Sequence, residues 1–235
     1  MKELIIGCAA IVILLFIIFG IALRKVKRQA RHTVAEEGLR KGGMAGEDRV
    51  AEQLQIYARA NGCKVINRIY LPLYGSTTEI DHILIGKFGV LVIETKNMRG
   101  QIYGTAKDRE WIQMVNGKKK HQFYNPLYQN KTHIATLRHL LVREKMDKVH
   151  IEGLVVFCGR NVCADVTRGM PVIPFRNLQG YLSRKRFQED CGVDVARVYR
   201  IIKKYEVTDR SLIDKHNAYV KKMARKKQPA NKVSL

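Results

Sequence analysis

Residues 79–97, Glu-Ile-Asp-His-Ile-Leu-Ile-Gly-Lys-Phe-Gly-Val-Leu-Val-Ile-Glu-Thr-Lys-Asn, read as two β-branched runs folded about a Gly-x-x-Gly step. Ile80 to Ile85 and Val90 to Ile93 have the composition of strands, and Gly86 and Gly89 interrupt any helical period. A two-residue loop of Lys87 and Phe88 pairs Gly86 with Gly89, Ile85 with Val90, Ile83 with Val92 and Asp81 with Glu94. Two carboxylates then stand opposite each other, and Lys96 follows Glu94 on the same face. A three-residue loop would send the acids to opposite faces, and Lys-Phe is a poor pair for a type I′ turn.

Side chains opposed in this way have Cβ atoms roughly 4.5–5.5 Å apart, where like charges destabilise. A hard divalent cation held by oxygen ligands offsets that repulsion. On this reading, replacing either acid relieves strain in the absence of metal while removing a ligand. The same pattern also fits a strand end where two acids simply meet water.

Outward from the hairpin, Lys64 to Leu71 reads as a strand and Pro72 to Thr78 as the loop leading in. Before it, Ala45 to Ala60 is expected to be helical, with Val50, Leu54, Tyr57 and Ala58 on one apolar stripe. Glu47 extends the stripe at the first turn, either as a partner of the helix dipole or as a third acid aimed at the site. After the hairpin, Gln101 to Thr105 and Trp111 to Val115 are short strands, and Asn116-Gly117 signals a type I′ turn. The returning arm carries Lys118, Lys119, Lys120 and His121 beside Trp111, Phe123 and Tyr124. Basic and aromatic side chains interleaved in this way suit a nucleic-acid strand; a solvated hairpin tip is the alternative.

Asn125-Pro126 is a helix start, a capping residue followed by Pro at the first helical position, and the helix is expected to reach about Arg143. Leu127, Ile134, Leu137 and Leu141 form its expected buried stripe, with Gln129 and His133 four apart on one face beside it. Ile151 to Phe157 reads as a strand covered on both faces. Val172 to Phe175 is a further short strand and Leu178 to Leu182 the start of a helix. From Val193 the chain is helical and basic, with a disordered tail expected from Lys221.

The 235 residues carry 43 Lys and Arg against 21 Asp and Glu, a formal net charge of +22. Such an excess implies a polyanionic partner, which nucleic acid and anionic lipid both satisfy. Leu4 to Leu23 is free of charge, and 14 of its residues are Leu, Ile, Val or Phe. A helix of that length spans the hydrocarbon core of a bilayer, roughly 30 Å. The run is longer than a signal-peptide core and lacks a small-residue cleavage site. Arg24, Lys25, Lys27, Arg28 and Arg31 follow it without an acid, so a single pass with the C-terminal domain in the cytoplasm is expected, as in a bacterial inner membrane. Cys8, Cys63, Cys158, Cys163 and Cys191 show no paired spacing and indicate neither a disulfide framework nor a zinc ribbon.

The order helix, three strands, helix, strand, with Glu47, Asp81, Glu94 and Lys96, resembles the PD-(D/E)XK nuclease superfamily and, more closely, the nuclease-related domain, NERD. Gly46-Glu47, Glu79-Ile80-Asp81-His82, Ile93-Glu94-Thr95-Lys96-Asn97, Gly100, Trp111, and Asn125-Pro126 with Gln129 and His133 carry the likeness, over roughly Gly46 to Leu182. Glu79-Ile80-Asp81 stands where the superfamily name has Pro-Asp. The resemblance implies an α/β fold with a mixed sheet and an α-β-β-β-α-β core. It implies that Asp81 and Glu94, with Glu47, hold Mg²⁺ or Mn²⁺, that Lys96 orients or activates the attacking water, and that Gln129 orients substrate or lysine, with His133 beside it. The expected organisation is an anchor (1–24), a basic tether (25–43), the nuclease-like domain (44–182) and a basic helical C-terminal region (183–235). Three functions remain open: a membrane-anchored metal-dependent nuclease acting on DNA or RNA, a non-catalytic nucleic-acid tether, and a scaffold at a lipid surface. The nucleic-acid contacts expected of the first two fall on Lys118, Lys119, Lys120, His121 and His133.

Overall fold

The computed structural model describes residues 44–117, 119–167 and 169–226, with the backbone alone at 119, 120 and 224–226. The expected anchor Leu4 to Leu23, the tether and Lys118 lie outside those residues; among the described residues no helix is long and apolar enough to cross a membrane. Helix α1 (44–61) precedes β1 (Lys64–Leu73), β2 (Ser76–Gly86) and β3 (Gly89–Lys96). Then come β4 (Gln101–Gly104), β5 (Glu110–Val115), β6 (Lys119–Tyr124), α2 (Pro126–Arg143) and β7 (Ile151–Phe157). The chain closes with β8 (Cys163–Val166), β9 (Val172–Pro174), α3 (Leu178–Leu182), α4 (Val195–Lys204) and α5 (Arg210–Lys226).

Five strands form a mixed sheet in the order β1-β2-β3-β7-β9, in which β1 to β3 are an antiparallel meander and β7 joins β3 in parallel. The alternation of apolar residues decides the layers. Ile83, Ile85, Val90 and Val92 pack on one face against Leu137, Leu140 and Leu141 of α2 and Val198, Ile201 and Ile202 of α4. Leu84, Leu91, Ile93, Leu154 and Val156 pack on the other against Val50, Leu54 and Ala58 of α1 and Leu178, Tyr181 and Leu182 of α3. Each large aliphatic side chain buried there stabilises the fold by about 1.5–3 kcal/mol, which explains why strands this apolar need helices on both faces. A second sheet, β6-β5-β4-β8, takes three strands from the crossover between β3 and β7 and its fourth from the segment after β7; it shares a third core, in which Ile102, Trp111 and Phe123 meet Val155 and Phe157.

The hairpin register is the expected one, with Gly86 opposite Gly89, Ile85 opposite Val90 and Ile83 opposite Val92. Lys87 and Phe88 form the loop without left-handed backbone; Gly89 takes the positive φ, 124°. The regular ladder ends at His82 and Ile93, however, one step before the acids. The β1–β2 ladder is interrupted at the same place, since Asn67 pairs with His82 and Ile69 with Ile80 while Arg68 and Asp81 are skipped. Arg68 has a φ of 50°. Ile80 and Ile83, three apart, both enter the core beneath α2, as do Ile66 and Ile69, so side-chain alternation slips by one on both strands at Arg68 and Asp81.

Several expectations change. Residues 72–78 are not a loop: β1 and β2 run on to a two-residue turn, Tyr74-Gly75, both at positive φ, with Leu73 opposite Ser76. Asn116 and Gly117 take the positive φ values of their turn, 54° and 66°, but Val115 pairs with Lys119, so the ladder does not close around those two residues alone. On α2, Leu127 and Ile134 are only partly buried, whereas Asn130, His133 and Thr136 lie inside. In the C-terminal region α4 completes the core under α2, Val207 N–H bonds the Tyr70 carbonyl, and helix α5 continues past Lys221, where a disordered tail was expected, to Lys226.

Candidate active site at the broken end of the acid hairpin

The first turn of α1 reaches the site because residue 46 has no side chain. A Cβ there would lie 2.9 Å from Asn97 Cβ and 3.2 Å from Cys158 Cβ, closer than packed atoms allow, so Gly46 lets the helix end close over the ends of β3 and β7. Glu47 is thereby brought in, and its Oε2 accepts from Arg68 Nε at 2.9 Å; Arg68 Nη2 also donates to Asp48 Oδ1 at 2.6 Å. A left-handed Arg is strained backbone, and it is held here by those two carboxylates.

At the slip in the ladder Asp81 is half-buried, and its Oδ2 accepts the Thr95 N–H at 2.7 Å. No hydrogen bond involves Oδ1 among the described residues. Burial, and after it the neighbouring Glu94, pushes the Asp81 carboxyl well above the usual carboxylate range, against the pull of Lys96 and the Thr95 N–H. Glu94 is in the opposite state. It is 1% exposed, with Oε1 accepting from Lys96 Nζ at 2.6 Å and Oε2 facing His133 Nε2 at 3.2 Å. Burial alone would raise Glu94 too, but Lys96 and His133 together hold it below its ordinary value.

Lys96 Nζ also donates to Gln129 Oε1 at 3.0 Å, which fixes the ammonium between β3 and the first turn of α2. Burial would lower its pKa; Glu94, Asp81 and Glu47 outweigh that and raise it, so Lys96 is a cation at neutral pH and no general base. His133 is 3% exposed, and its Nδ1 lies 3.1 Å from Thr78 Oγ1. Nε2–H donates to Glu94, and the Thr78 hydroxyl fixes the ring through Nδ1. Beside these groups, Asn130 Nδ2 donates to the carbonyls of Val92 and Leu154, both at 3.1 Å, and pins α2 across β3 and β7.

Glu94, Lys96 and Gln129 therefore form one connected network, with Asp81 coupled to it and Glu47 at its edge. Substitution of either acid was expected to relieve strain, but Glu94 carries no unmet charge, since its two oxygens face Lys96 and His133. His133 is corrected as a nucleic-acid contact: it is buried and orients Glu94. His121 is exposed on β6. Trp111 and Phe123 are no stacking surface beside it, because Trp111 is fully buried, its ring stacked on Phe157 and edge-on to Phe123. His82 does not join the site. It is buried on the α1 side, held neutral with a pKa lowered to about 4 by burial and then by Arg68, and its Nδ1 is 2.8 Å from Asn67 Oδ1. The Cys158 thiol, pushed up to about 12 mainly by burial, is a packing group. Thr78, Arg68 and Asn130 were not singled out in the sequence; for Asn130 the signal was polar residues at 129, 130, 133 and 136, spaced like a buried stripe.

Residues 42–158 match the family model described as the nuclease-related domain. Over 178 residues the chain is 29% identical to an uncharacterized protein of Bacillus anthracis, an alignment covering 76% of this chain and 83% of that one. No solved structure matches. The matched segment holds every member of the network, from Glu47 through Asp81, Glu94 and Lys96 to Gln129 and His133, on a mixed α/β scaffold that fits a nuclease-like fold. Through residues 42–158, this chain belongs to the nuclease-related domain family.

Proposed function

We propose that the protein is a metal-dependent phosphodiester hydrolase acting on DNA or RNA, tethered by Leu4 to Leu23 to a membrane with its domain on the cytosolic side. The observation that carries the reading is the Lys96 ammonium, held by Glu94 and Gln129 beside an acid, Asp81, that forms no ion pair among the described residues.

Among the described residues no three His, Cys, Asp or Glu side chains converge as a ready-made cage. The donors nonetheless suit a hard cation: they are carboxylate oxygens, Asp81 has an uncommitted oxygen, and its buried negative charge is disfavoured until a cation is present. Asp81 and Glu94, with Glu47 released from Arg68, would hold Mg²⁺ or Mn²⁺. When bound, such an ion polarises a phosphoryl oxygen and lowers the pKa of a coordinated water. Lys96 stabilises charge developing on the non-bridging phosphate oxygens, an effect that counts most in the transition state. Gln129 keeps Lys96 aimed, and His133, fixed by Thr78, keeps Glu94 aimed. The strongly basic chain, +22 overall, holds the backbone of the substrate without reading sequence.

The test is incubation of the protein with linear and circular DNA and with RNA, in Mg²⁺, Mn²⁺ or EDTA. Expected is cleavage that EDTA and Asp81→Asn both abolish. If the wild type cleaves no better than Asp81→Asn and shows no Mg²⁺-dependent thermal shift, the protein is a nucleic-acid tether, a reading favoured by the commitment of both Glu94 oxygens to protein partners.

A further inference from the structure

We propose that the outer side of α2 forms a groove for single-stranded nucleic acid, through which a strand is delivered to the Lys96 end of the helix. The relevance of that delivery rests on the nuclease reading; the groove itself rests on separate observations. It has a volume of about 680 Å³ and runs between the β1–β2 turn, the end of β6 and α2. Tyr74, Tyr124 and Tyr128 supply aromatic surface, and Lys131, His139 and Arg143 supply the polar wall. No acidic side chain lines it among the described residues.

Tyr128, Lys131 and His139 lie at i, i+3 and i+11 and so share one stripe of α2. Gln129, which holds Lys96, follows Tyr128 by one residue, about 100° around the helix. The groove and the Lys96 site thus share the first turn of α2, on adjacent faces of the helix. The rings of Tyr124 and Tyr128 are 6.3 Å apart and tilted by 49°.

Tyr74 is the most informative member. It occupies a turn position with φ of 40°, where Asn, Asp or Gly is the usual choice, and it is 98% exposed. The turn does not need an aromatic ring, and no core receives one. A nucleobase stacked on it explains both facts. Stacking of this kind requires bases out of their helix, so the groove favours single strands, whereas a duplex would offer it only phosphates.

The experiment uses the full chain in EDTA, so that cleavage does not enter the readout, with labelled oligothymidylate, oligouridylate and a duplex of equal length followed by fluorescence anisotropy. At least one of the two single strands is expected to bind more tightly than the duplex, the two arms distinguishing DNA from RNA. Tyr74→Ala, a change at an exposed turn, should weaken that binding on the order of tenfold. Lys131→Ala should weaken it too and reduce the salt slope by about 0.7, the share of one phosphate contact on a single strand. The proposal is overturned if the duplex binds as well as the single strands, if both variants bind like the wild type, or if vesicles of anionic lipid displace the oligonucleotide through the same two residues. A protein that cleaves nothing yet binds single strands through Tyr74 keeps the groove and loses the nuclease; one that cleaves while ignoring both substitutions does the reverse.

Discussion

The two sides of the site solve the burial of a carboxylate in opposite ways. On the α2 side Glu94 is fully enclosed, yet its two oxygens meet Lys96 and His133, and Gln129 and Thr78 fix those partners in turn. On the α1 side Asp81 receives one backbone N–H and stands beside Glu94, while Arg68, skipped with it in the β1–β2 ladder, is bonded to Glu47 and Asp48. The first side is a finished structural unit and the second is short of a positive charge. A chain that needed only stability would have compensated both.

The sharpest way to break the contrast is Glu94→Ala. Removing one member of a buried ion pair costs about 3–5 kcal/mol, because the Lys96 charge loses its counter-charge and keeps only the Gln129 amide oxygen. Denaturant unfolding in metal-free buffer should show that loss; a stability change below about 1 kcal/mol would mean that Glu94, like Asp81, is uncompensated. Next in size is Lys96→Ala, expected to lower metal-dependent cleavage roughly a hundredfold or more while leaving the Mg²⁺-induced thermal shift in place. Loss of that shift together with activity would move Lys96 from transition-state stabilisation to assembly of the acids.

Asp81→Asn sharpens the other side through its pH dependence. A carboxyl raised in the folded state contributes stability that is complete below the unfolded value, about 3.9, and lost as pH rises through the folded one. Glu94, lowered in the folded state, contributes stability present above about 4.3 and lost as pH falls through its folded value. In metal-free thermal melts the advantage of Asp81→Asn over wild type should therefore grow from pH 4 towards pH 7, and Mg²⁺ should shrink it. A gap independent of pH would show that Asp81 is not the frustrated acid. The smallest effect is expected from Gln129→Ala, about tenfold in turnover with little change in stability, since only one of the two partners of Lys96 is lost.

Much of this was legible in the residues, and what was not has definite causes. The hairpin register followed from period two and a two-residue loop, and the helix start at Asn125-Pro126 from capping chemistry; Asn125 Oδ1 indeed accepts the Leu127 N–H at 2.9 Å. The slip at Arg68 and Asp81 was hidden because a bulge leaves the composition of a strand untouched and only moves its phase. The second sheet was hidden for a different reason: β4 and β8 are four residues each and pair across more than fifty positions, a distance at which local pattern carries no information. Trp111 and Phe123 read as a stacking surface because their neighbours in sequence are basic, but both rings are buried in the third core, while His121 is exposed. The polar interior of α2 was misjudged because Asn130, His133 and Thr136 resemble surface residues until the groups that they bond are known.

The Asn130 amide also bears on how the chain assembles. Strands β3 and β7 are parallel neighbours, with Val90 beside Ile151, yet the whole crossover of residues 97–150 must be threaded out and back before they can meet. Closing so long an excursion is slow and gains little until the last contacts form. Asn130 bonds one carbonyl from each strand, so the helix that ends the excursion also fastens the two partners it brings together. If the sheet completes when α2 docks, Asn130→Ala should slow refolding more than it speeds unfolding, as expected for a side chain whose bonds already exist in the transition state.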